Sequence, residues 1–337
     1  MHRMSPTAAG PHHAVYALGE VRVAVTTDHA PVLTYLSDFY TQANGRAWWL
    51  IDGGLGQPHP PMHIDDYGVG YRADTEQRRL VVRTTDPESL QISVRKAIRA
   101  VMVAFCEERG YAMLHASAVH RNNLLIVFVG DKGAGKTTLA LDAVLRHGFE
   151  FISNDHLVVY PDSGADGLVV TSLPTPIPVK IGTYLAMEDV LPAPWNPNGV
   201  DIDAFRRLPA DEVRHLDIRL DYTFARFGQA NPVAVRCGAR WPTTVVVVLP
   251  EYAPDGNAAA PQPGGSEDDL IAHLRTDWVF NPAYNPRHLP YSQRTVEQFI
   301  ADGRALIGAL CADATMLRWA HAGQVTPLLR TLEGDAA

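Results

Sequence analysis

The sequence predicts an α/β protein: a mixed sheet that carries a phosphate loop, preceded by a smaller, mainly β module. Three observations predict it. Leu124–Val129 are six consecutive apolar positions, followed by Gly130-Asp131-Lys132-Gly133-Ala134-Gly135-Lys136-Thr137 and then a helix-forming run. Strand, G-x-x-x-x-G-K-T loop and helix therefore stand in the order that a phosphate cradle requires. Ala112–Val119 is an apolar strand that Arg121-Asn122-Asn123 turns back into Leu124. An antiparallel hairpin thus feeds the loop, where a doubly wound sheet would build from parallel units. Ala14–Arg83 is mainly β in pattern, which gives an N-terminal module over 1–85 and a phosphate-loop domain over 86–337.

Taken in order, residues 1–13 are rich in Pro, His and small side chains and read as a disordered start, with His2, His12 and His13 as terminal scatter. Val21-Arg22-Val23-Ala24-Val25 and part of Arg79–Arg83 alternate as half-buried strands do. Pro31–Tyr40 reads as a short helix. Trp48-Trp49-Leu50-Ile51 reads as a strand ended by Asp52-Gly53-Gly54, with Gly53–His63 as loop and Asp65-Asp66 as a solvated turn. Asp86-Pro87-Glu88 starts a helix, with Asp as N-cap, Pro at the first helical position and Glu in the first turn. Val94, Ile98, Val101 and Phe105 continue it, and Gly110 closes it.

Beyond the loop, Thr138–His147 is a helix with Leu139, Ala140, Ala143 and Val144 on its inner face and Gly148 at its end. Phe149–Ile152 and Leu157–Tyr160 are strands, joined through Ser153-Asn154-Asp155-His156. Asp162–Gly167 turns the chain into Leu168–Thr171, and Leu173–Pro178 is Pro-rich and extended, leading to Val179-Lys180-Ile181-Gly182. Pro192, Pro194 and Pro197 break residues 187–216. Arg236–Arg240 reads as a turn and Thr243–Leu249 as a buried strand. Ala253–Ser266 and Thr276–Arg294 read as loops. Thr295–Cys311 is an amphipathic helix, Thr315–Trp319 a strand and Val325–Thr331 a last helix.

The loop's chemistry is specific. Its glycines let successive backbone N–H groups converge on one anion, and the helix N-terminus adds partial positive charge. Gly130, Asp131, Lys132, Gly133, Ala134, Gly135, Lys136, Thr137 and Thr138 form the expected nucleotide cradle. Lys136 supplies a full charge for the β- and γ-phosphates, and the Thr137 hydroxyl is placed to hold Mg²⁺. Asp155 follows Thr137 at a spacing that sets a carboxylate near the γ-phosphate, as a Mg²⁺ ligand or a base on an acceptor hydroxyl. His115 and Ser117 share a face of the strand beside the loop.

Composition limits the partners. The formal net charge is −8 and no Lys/Arg run exists, which argues against nucleic acid or an anionic membrane. Cys106, Cys237 and Cys311 are scattered and not at metal spacing, so they read as reduced packing thiols. The N-terminus lacks an apolar signal core and no apolar run approaches membrane-spanning length, so a cytoplasmic protein is expected. A homo-oligomer remains open.

At LHASAV, GDKGAGKTTLA, RHG and FISNDHLVV the chain resembles the HPr serine kinase/phosphorylase superfamily, and more closely the HPr-kinase-related proteins of biosynthetic clusters. Tyr111–Tyr160 carries the resemblance. It implies a phosphoenolpyruvate-carboxykinase-like core with ATP and Mg²⁺ as cofactors. It also implies Lys136 and Thr137 as phosphate and Mg²⁺ ligands, Asp155 as base or metal partner, and His115 as an active-site strand residue. Asn154 stands where the family often has Asp, and an amide cannot act as a base. The family's later signature has no counterpart, so HPr is not the expected acceptor.

The expected function is an ATP-dependent kinase acting on a hydroxyl, with Ser/Thr of a peptide or protein as acceptor. A small-molecule kinase and a nucleotide-binding regulator without transfer activity are the alternatives. Kinases often add a further cation at the γ-phosphoryl group. Arg287 is expected to supply it, with Arg294 and Lys180 as rivals, and Trp278, Tyr284 and Tyr291 would line an acceptor groove.

Overall fold

Alternation in the first eighty residues folds into one mixed sheet. The computed structural model describes residues 11–334 except 19, 165, 254–257, 285–288 and 290–293. Here β1 (His12–Leu18) pairs antiparallel with β2 (Val21–Thr27). After α1 (Pro31–Leu36), β3 (Thr41–Gln42) adds to β1. Next come β4 (Trp49–Leu55), β5 (His63–Ile64), β6 (Gly70–Asp74) and β7 (Arg79–Thr84), in the order β3-β1-β2-β4-β7-β6-β5.

Two expectations are corrected here. His12 and His13 begin a strand, because their pairing with β2 satisfies their backbone. β4 runs through Gly53-Gly54, where the sequence predicts a turn. The glycine serves packing: a Cβ at Gly53 would lie 2.7 Å from Val94 Cγ2. Val94 belongs to α2 (Pro87–Glu108), whose start is capped by Asp86 accepting from the Ser89 N–H at 2.7 Å.

The chain packs as two units, residues 1–105 with 277–293, and 106–276 with 294–337. This division differs from 1–85 and 86–337. Most of α2 sits with the first sheet, where Phe105 meets Trp48 edge-on at 5.0 Å between ring centroids. Segment 277–293 returns to the same unit, with the Arg99 guanidinium 5.0 Å over the Trp278 ring.

In the second unit the run 112–119 divides into β8 (Ala112–Leu114) and β9 (Ala116–Arg121), and the break is His115. The apolar run predicts one continuous strand. Instead β8 pairs with β12 (Leu157–Pro161), while β9 pairs with β10 (Leu124–Val129) and β11 (Glu150–Ser153). The glycine-rich loop joins β10 to α3 (Lys136–His147). After β12 come β13 (Leu168–Ser172), β14 (Ile177–Lys180), α4 (Ile181–Ala186), α5 (Ile202–Phe205), α6 (Ala210–His215) and β15 (Arg219–Tyr222). The rest comprises β16 (Val235–Cys237), β17 (Thr244–Tyr252), β18 (Gln262–Pro263), α7 (Glu267–Ile271), α8 (Thr276–Phe280), α9 (Val296–Cys311), β19 (Thr315–His321) and α10 (Thr326–Gly334). The loops expected at 253–266 and 276–294 thus contain β18 and α7's capping residue Ser266, and α8. Arg236, expected in a turn, lies in β16.

The six-stranded order is β11-β9-β10-β17-β19-β18. β10, β17 and β19 run parallel, and β9 stands antiparallel to both β10 and β11. The hairpin feeding the loop is therefore present, and the sheet is mixed. The unbroken apolar run of β10 explains its depth: Leu125, Ile126, Val127, Phe128 and Val129 are all fully buried, as a strand covered on both faces requires. Ile126, Phe128, Leu139, Ala143, Val246, Val248 and Leu317 belong to one core, so α3 is seated against the strand that precedes it. All three cysteines are free thiols.

Candidate active site

The loop leaves buried β10 and enters α3 through Gly135 at φ 86°, left-handed and open to glycine at little cost. His321, the last residue of β19, explains why no side chain fits there. A Cβ on Gly135 would lie 2.7 Å from His321 Nε2. The imidazole is fully buried, and both its nitrogens are bound. The Gly323 N–H donates to Nδ1 at 2.9 Å, so Nδ1 carries a lone pair; Nε2 lies 2.9 Å from the Ala134 carbonyl, so Nε2 carries the proton. A neutral His321 thus holds one loop carbonyl turned toward the core. Burial lowers its pKa, against the opposing effect of the Ala134 carbonyl.

Lys136 is buried, and its Nζ donates to the Gly130 carbonyl at 2.6 Å and the Asp131 carbonyl at 3.1 Å. Burial lowers its pKa; Asp155 and Asp131 oppose that shift and Arg275 adds to it. Asp131, Lys132 and Gly133 form the exposed tip, where Lys132 pairs with Asp217 at 3.0 Å. The Thr138 hydroxyl lies 3.0 Å from that of Thr183, fixing the first turn of α3 against α4.

Asp155 sits on the β9 side of the loop. Ser153 Oγ donates to the Ala116 carbonyl at 3.0 Å and Ser117 Oγ to the Asn154 carbonyl at 2.6 Å, so two buried hydroxyls pin the approach to Asp155. His115 Nε2 lies 3.4 Å from Asp155 Oδ1. Burial pushes the Asp155 carboxyl upward, but the His115 hydrogen bond, then His156, His115 and Lys136 as charges, outweigh it and bring the pKa to about 2. Asn154 is buried, and its side-chain Oδ1 and Nδ2 have no hydrogen-bond partner among the described residues.

Two further groups come from an element that the motif gives no hint of. Segment 273–275 lies antiparallel against the β8 edge: Leu114 bridges Leu274, the His115 N–H donates to the His273 carbonyl and the Arg275 N–H to the Met113 carbonyl, both at 2.8 Å. Leu274 turns to α9, where Gly303 makes room; a Cβ there would lie 2.9 Å from Leu274 Cδ1. Alternation sets His273 and Arg275 on the opposite face. Arg275 Nη1 donates to His156 Nδ1 at 3.2 Å and to the Asp155 carbonyl at 3.4 Å. Burial lowers the His273 pKa, and Lys136 and His115 lower it further against Asp131 and Asp269. His115, His156, Lys136 and Arg275 therefore surround Asp155, and His273 stands in the electrostatic reach of Lys136 and His115.

The structure brings Lys136, His115 and Asp155 together. Arg287 and Tyr291 lie outside the described residues. Arg294 is a brace at the start of α9: it donates to the Glu107 and Gln298 carbonyls and pairs with Asp302. Lys180 lies in the β14–β15 ribbon opposite Arg219. Trp278 is buried and Tyr284 exposed, both in the first unit. Among the described residues, no group of three or more His, Cys, Asp or Glu could hold a metal ion, and no helix is long and apolar enough to cross a membrane. The chain matches no protein-family model and no curated protein.

Proposed function

We propose that the chain is an ATP-dependent phosphotransferase that phosphorylates a hydroxyl, with Ser/Thr of a peptide as the acceptor class, on a phosphoenolpyruvate-carboxykinase-like core. The observation that carries this reading is the concentration of cationic and hydrogen-bonding groups around one ionised carboxylate beside a complete phosphate loop. A small-molecule kinase of the nucleoside-kinase type is less well supported, since the loop is fed by an antiparallel hairpin.

Thr137, Asp155 and the orphaned Asn154 Oδ1 are hard oxygen donors, which suit Mg²⁺ carried in on phosphates better than an all-protein cage. When bound, Mg²⁺ neutralises charge on the β- and γ-oxygens. The loop amides and Lys136 bind the triphosphate. In the transfer, the acceptor oxygen bonds to the γ-phosphorus while the bond to the bridging oxygen breaks, and ADP keeps that electron pair. The hydroxyl proton passes to Asp155. A carboxyl with a pKa of about 2 is a weak base, so it orients the hydroxyl and takes the proton late, which a loose transition state permits. Arg275 and His115 hold the carboxylate's peptide and one of its oxygens.

The test is Lys136→Ala and Asp155→Asn, assayed by mass spectrometry for a phosphoryl gain on candidate peptides and by nucleotide binding. Lys136→Ala should lose transfer and most ATP affinity. Asp155→Asn should lose about 10²–10⁴-fold in turnover while still binding ATP. Wild-type turnover and nucleotide affinity in Lys136→Ala end the kinase reading, and an Asp155→Asn variant that keeps more than about a tenth of the wild-type rate ends that role for Asp155.

A further inference from the structure

We infer that the nucleobase of the bound nucleotide is received at the carboxyl ends of β17 and β19, against the Tyr252 ring and the Arg214 guanidinium. The inference rests on the phosphate-loop reading above.

The argument is one of direction. In the sheet order β11-β9-β10-β17-β19-β18, Asp155 follows β11, and His115 precedes β9. Both lie on one flank of β10. The terminal phosphate must face that flank to meet an acceptor. A triphosphate wrapped by the loop then leaves its nucleoside on the other flank, where β17 and β19 end beside β10. These three strands are parallel, and ligands of such sheets sit outside the carboxyl ends.

The side chains at that edge suit a flat aromatic ring. Tyr252 ends β17 and is in register with His321, which ends β19; their rings meet edge to face at 5.7 Å between centroids. His321 is also the residue that holds the loop, so Tyr252 is one ring removed from Ala134. Gly323 follows it at φ 94°, and a Cβ there would touch Thr138 Cγ2 at 3.6 Å and Tyr252 Cε2 at 3.8 Å. The first turn of α3, a residue without a side chain, and the Tyr252 ring are therefore contiguous. The Arg214 Cζ stands 5.1 Å from the Tyr252 ring centroid. Tyr252 and Arg214 are both half-buried. A ring and a guanidinium plane, each able to stack on a base, are the usual equipment for holding one without strict sequence-like readout. His321 cannot serve in their place, because both its nitrogens are committed and it is fully buried.

The experiment compares two probes on the full chain with Mg²⁺: ATP, and inorganic tripolyphosphate, which has the phosphates and no base. Tyr252→Leu should weaken ATP by roughly 10-fold or more and leave tripolyphosphate within about twofold. Arg214→Ala should show the same selectivity at smaller size, and Tyr252→Trp should keep or tighten ATP binding. Arg214 lies in the short helix α6, outside the sheet, so its variant tests the inference even where Tyr252→Leu fails to fold. Unchanged ATP affinity in both Tyr252→Leu and Arg214→Ala overturns the base site. Equal weakening of both probes overturns it too, since the side chains would then support the loop. Wild-type protein that binds neither probe overturns the phosphate-loop reading, and this inference with it.

Discussion

Asn154 and Arg275 make opposite contributions at the centre of the site. Asn154 buries a donor and an acceptor with no partner among the described residues, an arrangement costing about 1–3 kcal/mol that folded proteins rarely retain without use. Asn154→Leu should therefore raise the melting temperature and lower turnover; a variant that is stabilised and fully active would show the amide to be idle. Arg275 is buried and tied to the Asp155 peptide and His156. Arg275→Gln should lose roughly 10²–10³-fold in turnover, as loss of a preorganised transition-state donor does, and should narrow the preference for ATP over ADP. Equal weakening of the two nucleotides would leave Arg275 a merely structural tie. That the loop brings Lys136 close to Asp155 was legible in the sequence because the motif is local. Arg275 and His273 were not, because a single bridge between Leu114 and Leu274 sets them there and leaves no period to read.

At the scale of elements, the hairpin was legible and its consequence was not. Ala112–Val119 reads as one apolar strand, yet the two sheets draw on it in turn and the chain corners at His115. Both halves are buried, and apolarity alone cannot report a change of partner. Gly53 misled for a related reason: glycine marks a turn or a close approach, and only the facing helix decides between them. β19 repays the same attention, since its last residue secures the loop. His321 is held neutral, with a pKa below the ordinary value of 6.5. Its folded-state value is depressed, so its contribution to stability is complete above about pH 6.5 and is lost as pH falls toward that lower value. Thermal melts of wild type and His321→Gln should show a shallower fall of melting temperature between about pH 7 and 5 in the variant, with His273 supplying part of what remains. An identical slope in the two proteins would remove His321 from the account.

For the whole molecule, the order of apolar runs, loop and helix predicted the α/β class and missed the interruption. The first unit takes in 277–293 as well as 1–105, and the second resumes at 294. A boundary at 85 follows from the end of the alternating pattern, whereas the contacts of Phe105 with Trp48 and of Arg99 with Trp278 decide where the chain belongs. The loop's dependence on His321 has a bearing on synthesis. The ribosome delivers Ala134 long before the imidazole that restrains it, which is 187 residues later in the chain. Chains grow N-terminus first, at about 5–20 residues per second. For roughly ten seconds or more the emerging cradle lacks its restraint, and a chain released before β19 never acquires it. Fragments that stop short of β19 would carry the glycine-rich motif without the imidazole that turns its Ala134 carbonyl toward the core.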